Sequence, residues 1–346
     1  MPARAAGAAQ GRGMRAAVIG AGSWGTALAI QLCRAGHEVQ QWDHRADRAA
    51  AVDAARENRQ YLPSVPLPDG LRVTGALDVA LDGVGLVVEV VPSQAVRTVM
   101  AEVRPLIPTG ALICCASKGI EQGSLLTMAD VLHAVLPASM HGQLGFLAGP
   151  SFASEVARGL PTAVVVASRS ADTADAISKA LHAGALRAYT TEDVDGAELG
   201  GALKNIIAIA AGVADGLGAG LNARAALLTR GLAEITRLAV AKGGNPLTLA
   251  GLAGMGDLVL TATGDLSRNR RVGLALGQGR RLDDILAELG QVAEGVVTTR
   301  SAWALAQAEG VSMPIVEEVY RMLYEDKPAT EAIRSLLGRE RKAERG

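Results

Sequence analysis

Lys204 sits within Gly200-Gly201-Ala202-Leu203-Lys204-Asn205-Ile206-Ile207-Ala208, where it is the only charge. An ammonium group on an apolar, glycine-rich helix start is costly to bury unless it has a partner. It is either a functional amine held in a site or a lysine whose stem packs while its head reaches water. Lys118, in Ser117-Lys118-Gly119, follows the apolar run Ala111–Cys115. It lies at the strand end where α/β proteins bind ligands, as a functional cation or as a surface charge. Gly149-Pro150-Ser151 is a turn that could bring N–H and hydroxyl donors to the same edge, and Asp257 stands in Gly254-Met255-Gly256-Asp257-Leu258. Ser267-Arg268-Asn269-Arg270-Arg271 offers a guanidinium fork beside small polar donors, a set that suits a phosphate and equally a solvated helix face. A lysine able to move a proton and a cradle for a small anion are the chemistry these residues could perform.

A second set points to a dinucleotide. Gly20-x-Gly22-x-x-Gly25 follows an apolar run, Met14–Ile19, and opens a helical one, Thr26–Arg34, which ends at Gly36. In that context Gly20 makes the tight turn, Gly22 lets a diphosphate approach the backbone, and Gly25 lets helix and strand pack closely. The N–H groups and dipole of the helix start favour the anion. Asp43, 18 residues after Gly25 at the end of the next strand, could accept from an adenosine ribose and favour NAD. The adjacent His44 and Arg45 could instead hold a 2′-phosphate, so the choice between NAD and NADP stays open.

These residues need a scaffold. Short apolar strands are expected at Met14–Ile19, Glu38–Trp42, Leu86–Val90, Ala111–Cys115, Leu144–Ala148 and Ala163–Ala167. Helical stretches around Gln94–Val103, Leu125–Val135 and Ala171–Leu181 separate several of them, which implies a mostly parallel, doubly wound sheet. Cys114 and Cys115 then point to opposite faces of one strand as buried small hydrophobes. From about Asp193 onward only helical spacing is found, as in Ala202–Ala214, Ala223–Lys242, Leu282–Leu289 and Val296–Ala308. The expected layout is a disordered tail over 1–13, an α/β Rossmann-type domain over 14–192 and an all-α domain over 193–346.

The 346 residues suit two domains. With 49% hydrophobic and 20% charged residues the chain is not intrinsically disordered. Lys plus Arg number 34 against 35 Asp plus Glu, so the basic excess of a nucleic-acid or lipid-coating protein is missing, and no nucleic-acid partner is expected. Three cysteines, two of them adjacent, do not make a disulfide framework. The leader lacks a secretory apolar stretch, and the most apolar windows, Val84–Val91 and Ile206–Ala214, are far shorter than the ~20 residues of a membrane span. A soluble protein without stable membrane insertion is expected.

The signatures together resemble the bacterial NAD(P)-dependent sn-glycerol-3-phosphate dehydrogenase family, from about residue 14 to about 340. The resemblance rests on Gly-Ala-Gly-Ser-Trp-Gly-Thr-Ala-Leu-Ala (20–29), Ser-Lys-Gly-Ile-Glu (117–121), Ala-Gly-Pro-Ser-Phe-Ala-Ser-Glu (148–155) and Gly-Ala-Leu-Lys-Asn (201–205). It continues through Ala-Ala-Leu-Leu-Thr-Arg-Gly-Leu-Ala-Glu (225–234), Gly-Met-Gly-Asp-Leu (254–258), Ser-Arg-Asn-Arg (267–270), Val-Ala-Glu-Gly-Val (292–296) and Met-Pro-Ile (313–315). It implies a Rossmann-type domain, a helical domain and a cleft between them. It implies Lys204 as the catalytic proton acceptor and a substrate contact, with Lys118, Gly149, Ser151, Asp257, Ser267, Arg268 and Asn269 as further contacts to the small phosphorylated substrate. Besides the glycine turn, the implied NAD or NADP contacts are Ser23, Trp24, His44, Arg45, Tyr61, Lys118, Ala153, Arg268, Val292 and Glu294. Asp43 departs from the small or neutral residue expected there. The resemblance also implies a cytoplasmic homodimer that supplies glycerol 3-phosphate for phospholipids, and no metal. Two rival readings are another Rossmann-plus-helical dehydrogenase, of the 6-phosphogluconate or hydroxyacyl-CoA type, and a non-catalytic NAD(P)-binding redox sensor.

Overall fold

The computed structural model describes residues 13–339. Eight strands, β1 (Arg15–Ile19), β2 (Glu38–Trp42), β3 (Leu71–Thr74), β4 (Leu86–Glu89), β5 (Leu112–Cys115), β6 (Leu144–Ala148), β7 (Thr162–Ala167) and β8 (Leu186–Thr191), form one sheet in the order β3-β2-β1-β4-β5-β6-β7-β8. Every pairing is parallel except β6 with β7. The order reverses between β1 and β4, which opens a crevice at their C-terminal ends, where such sheets bind ligands. Between the strands run α1 (Ser23–Arg34), α2 (Ala46–Ala55), α3 (Leu77–Leu81), α4 (Val96–Val103), α5 (Met128–Val135), α6 (Ala153–Arg158) and α7 (Ala171–Leu181). Beyond β8 the described residues are helical: α8 (Val194–Gly216), α9 (Gly220–Ala241), α10 (Pro246–Ala250), α11 (Asp257–Thr263), α12 (Arg268–Gly277), α13 (Leu282–Leu289), α14 (Glu294–Ala308), α15 (Pro314–Tyr324) and α16 (Ala329–Leu337). The tail expected over 1–13 lies, apart from Gly13, outside the described residues.

The sheet buries a separate apolar cluster on each face. Val18, Val88 and Cys114 belong to one, and Ile19, Val87 and Cys115 to the other, so the adjacent cysteines do face opposite sides. Their burial raises both thiols, Cys114 to about 12, as expected of inert small hydrophobes. The third cluster is helical and centres on α8, which is buried along almost its whole length. Each Leu or Ile so enclosed contributes about 1.5–3 kcal/mol. Among the described residues α8 alone is long and apolar enough to cross a membrane, and here it is the core of the helical half.

Backbone contact between α8 and α12 explains Gly212 and Gly216 of the first helix and Gly273 and Gly277 of the second. A Cβ at Gly273 would lie 1.9 Å from the Ile209 carbonyl oxygen, and one at Gly212 would lie 2.1 Å from that of Arg270. Only glycine permits this approach. It brings the N-terminus of α12, with Ser267 to Asn269, beside Asn205 in α8: Asn269 Nδ2 donates to Asn205 Oδ1 at 2.9 Å.

Candidate active site

Three elements distant in sequence meet at Asp257. Its side chain is buried at the first position of α11, just after a π-helical turn, Leu252–Gly256. Oδ2 accepts from Lys118 Nζ at 2.7 Å, and Oδ1 is in direct contact with Lys204 Nζ. Lys204 also donates to Thr261 Oγ1 at 2.9 Å, while the Thr261 hydroxyl donates to the Asp257 carbonyl at 2.7 Å. The Gly149 carbonyl, at 3.4 Å from Lys118 Nζ, closes the cluster and also accepts from Ser151 Oγ at 3.0 Å. One carboxylate thus bridges two ammonium groups.

Burial lowers the Lys204 ammonium to about 8, against the opposing pull of Asp257 and with a further push from Lys118. Burial would raise the Asp257 carboxyl, but the two lysines outweigh it and hold the group below its ordinary range. With Lys204 only 8% exposed and its amine on Asp257 and Thr261, a snorkelling, water-facing head is excluded. Lys204 is an enclosed group that can lose or regain its proton near neutral pH, the property a general acid–base needs.

Next to this cluster, Arg268 is exposed at the first turn of α12 and enters no ion pair among the described residues. Its Nη1 lies 3.4 Å from Gln291 Oε1. Arg270 behaves differently, pairing with Asp215 at 2.7 Å and with Asp265 at 2.8 Å. Of the arginine cluster, then, Arg268 and the exposed Arg271 enter no ion pair among the described residues, and Arg268 is the one beside Ser267 and Asn269 at the start of α12. Ser267 caps α12, its hydroxyl accepting from Arg270 N at 3.2 Å. Asn269 spans Asn205 and Gly295, whose N–H donates to its Oδ1 at 3.0 Å. Both residues therefore also hold the frame of the site.

On the sheet side, Gly20 turns with φ 125° and packs against Val90, since a Cβ there would come within 2.7 Å of the Val90 carbonyl. At Gly25 a Cβ would lie 2.1 Å from the Gly20 carbonyl, whereas at Gly22 it would meet nothing within 4 Å. No side chain caps α1, so its first N–H groups remain for an anion, and Gly22 leaves the approach open. These features fit a dinucleotide diphosphate. Ser23 Oγ donates to the Tyr61 carbonyl at 2.6 Å, and Trp24 is half-buried beside it. Glu294, at the start of α14, reaches across from the helical half and accepts from Ser93 Oγ at 2.7 Å and Ser93 N at 3.3 Å, just beyond β4. Burial raises its carboxyl, with Ser93 opposing.

The remaining implied cofactor positions are less drawn together. His44 and Arg45 are exposed beyond β2, Val292 is exposed before α14, and Ala153 opens α6. Asp43 overturns the reading of it as a ribose acceptor. It is 1% exposed, and both its oxygens are taken by Arg48, Nε to Oδ2 at 2.5 Å and Nη2 to Oδ1 at 2.7 Å. Sequence reasoning also passed over Thr261, Ser93, Asn205 and Arg48. Thr261 alone had a local signal, because a residue four places after Asp257 shares its helix face.

Among described residues no group of histidine, cysteine and carboxylate side chains could hold a metal ion. The N-terminal model of the NAD-dependent glycerol-3-phosphate dehydrogenase family matches residues 15–174, and the C-terminal model matches 193–334. A protein of Geobacter metallireducens named glycerol-3-phosphate dehydrogenase [NAD(P)+] is 53% identical over 334 residues, covering 96% of this chain and all of that protein. One of the same name from an Anaeromyxobacter species is 54% identical over 333 residues, with 96% and 100% coverage. The crystal structure of glycerol-3-phosphate dehydrogenase from Coxiella burnetii superposes with a TM-score of 0.90 at 43% identity, covering 94% of this chain and 99% of that one. A glycine turn after β1 and a lysine–aspartate–lysine cluster beyond β5, on this fold and with these relatives, leave one assignment: the chain belongs to the NAD-dependent glycerol-3-phosphate dehydrogenase family.

Proposed function

We propose that Lys204 is the proton donor and acceptor in the family reaction, the interconversion of sn-glycerol 3-phosphate and dihydroxyacetone phosphate with NAD(P). The supporting observation is its buried amine, shared with Asp257 and brought to about 8. A bound nicotinamide supplies or accepts the hydride at C2. In the reductive direction Lys204 gives its proton to the C2 oxygen, and in the oxidative direction its neutral amine takes that proton. Asp257 holds the amine in place and offsets part of the charge of the two ammonium groups it bridges. Lys118 lies where it can polarise the same oxygen or meet the substrate's polar end.

Arg268 anchors the phosphate through its free fork, with Ser267 and Asn269 fixing the helix start that presents it. Ser151 and the Gly149 turn form the wall beside Lys118. The glycine turn and α1 hold the diphosphate. Glu294 and Ser93 tie the helical half to the β4 loop over the nicotinamide end, and Ser23, Trp24, Tyr61, Ala153 and Val292 line the remaining length. In this reading the sheet portion up to residue 192 is the cofactor domain and the helical portion from 193 the substrate domain.

The resemblance further supports a cytoplasmic homodimer working in the reductive direction to supply phospholipid synthesis. The test is absorbance at the nicotinamide band during dihydroxyacetone phosphate reduction, with NADH and NADPH in turn, beside 6-phosphogluconate and a hydroxyacyl-CoA. Turnover confined to the glycerol phosphate pair is expected. Cofactor binding without turnover of any of these would return the chain to the redox-sensor reading.

A further inference from the structure

At the end of the second strand of such a sheet, a free carboxylate hydrogen-bonds the adenosine ribose and repels a 2′-phosphate. Asp43 occupies that place but presents nothing to the crevice. Its oxygens are filled by the Arg48 fork and by the Arg45 backbone N–H at 3.0 Å from Oδ1, and almost none of its surface is exposed. Arg48 is itself fixed. Its Nη1 donates to the Tyr61 hydroxyl at 2.9 Å, and its Cζ stands 4.9 Å from the centre of the Tyr61 ring. Tyr61 is in turn bonded to Ser23 at the start of α1. The ion pair is therefore tied to the glycine turn rather than lying loose on the surface.

Outside the pair, His44 and Arg45 expose 69% and 55% of their side chains. Arg45 pairs with the exposed Asp47 at 2.8 Å, a surface contact that contributes little and that an incoming phosphate can replace. A 2′-phosphate over the end of β2 would thus meet the Arg45 guanidinium and the His44 ring, with the acid screened beneath them.

We propose that Arg48 sets the cofactor range of this chain: by sequestering Asp43 it removes the acid that would select NAD and keeps the adenosine end open to both NADH and NADPH. This deepens the dehydrogenase reading and rests on it. Arg48 acts through Asp43 and need not touch the nucleotide.

The experiment measures Kd for NADH and for NADPH by nicotinamide fluorescence on the full-length protein, so turnover is not required. Asp43→Asn is expected to change the ratio of the two constants by less than about threefold, because no ribose bond is lost. Arg48→Ala frees the carboxylate and is expected to shift the ratio toward NADH by about tenfold or more, through repulsion of the 2′-phosphate. The double variant Asp43→Asn/Arg48→Ala should return to within about threefold of the parent, because the repelling charge is gone. Three results overturn the proposal: an unchanged ratio in Arg48→Ala, a shift of about tenfold toward NADPH in Asp43→Asn, which would make Asp43 a ribose ligand, or a double variant as biased to NADH as Arg48→Ala, which would make Arg48 a phosphate ligand. If Arg48→Ala does not fold, Arg48→Met keeps the length of the side chain but removes every donor to Asp43, and the same ratios decide. Failure of the parent to bind either nucleotide would instead count against the dehydrogenase reading itself.

Discussion

The sheet half offers its ligand backbone: an uncapped helix start, a turn at Gly20 and an open approach at Gly22, with no charged side chain in the glycine motif. The helical half offers side chains: Lys204, Asp257 and Arg268, two of them buried and one left free. A backbone site is built from neighbouring residues and depends on what is missing, namely a Cβ. A side-chain site is assembled from distant segments and depends on charges held where water is scarce, which is what shifts their proton affinities. On the proposed reading, cofactor binding belongs mainly to the sheet half, and substrate binding with proton transfer to the helical half, so substitutions should separate the two functions.

The largest separation is expected for Lys204→Ala. Steady-state kinetics should show kcat down by ~10²-fold or more, with NADH affinity by fluorescence moved by no more than about threefold. Turnover close to the parent's would put proton transfer elsewhere. Gly22→Ala probes the opposite half. Its Cβ meets no atom of the chain, so Tm should hold while cofactor Kd rises by about tenfold or more, and an unchanged Kd would mean the diphosphate lies elsewhere. Arg268→Ala should raise KM for dihydroxyacetone phosphate by roughly tenfold or more with a smaller effect on kcat, and an unchanged KM would remove it as the phosphate anchor.

The smallest effect concerns the seam between the halves. Glu198, on α8, accepts from Ala129 N at the start of α5 at 3.0 Å, and burial raises its carboxyl to about 8. Because the fold favours its proton, the stability it contributes is full below the ordinary carboxyl range and is lost as pH rises through about 8. Glu198→Gln, which keeps the acceptor, should flatten the fall in urea midpoint between pH 5.5 and 8.5 by a few tenths molar. An equally steep fall in the variant would assign that pH dependence to other groups.

The same contrast governs how much the sequence revealed. β1 followed by the glycine turn and α1 was legible because each step is local and each glycine has one steric reason. β3 and β8 were not: β3 is four residues, Leu-Arg-Val-Thr, and β8 is an edge strand, Leu-Arg-Ala-Tyr-Thr-Thr, whose polar residues need no core. α2, α3 and α6 between the strands, and α10, α11, α12, α15 and α16 after them, were not marked out either. α12 opens on three arginines in four residues, which hides its buried face.

In the site, Lys204 stood out as a lone charge in an apolar run, yet its partner did not. Nothing near residue 204 announces that residues 118 and 257 share one carboxylate with it. Asp43 shows the converse failure. Its position suggested a role that a residue five places on, Arg48, takes away.

The most direct test of the account is the pH dependence of kcat/KM for dihydroxyacetone phosphate reduction, which reports ionisation in the free enzyme. With Lys204 as the acid, the rate constant holds below its pKa and falls as pH rises through about 8, and this limb is absent from the residual activity of Lys204→Ala. A profile level from pH 7 to 10, or the same falling limb in the variant, would contradict it.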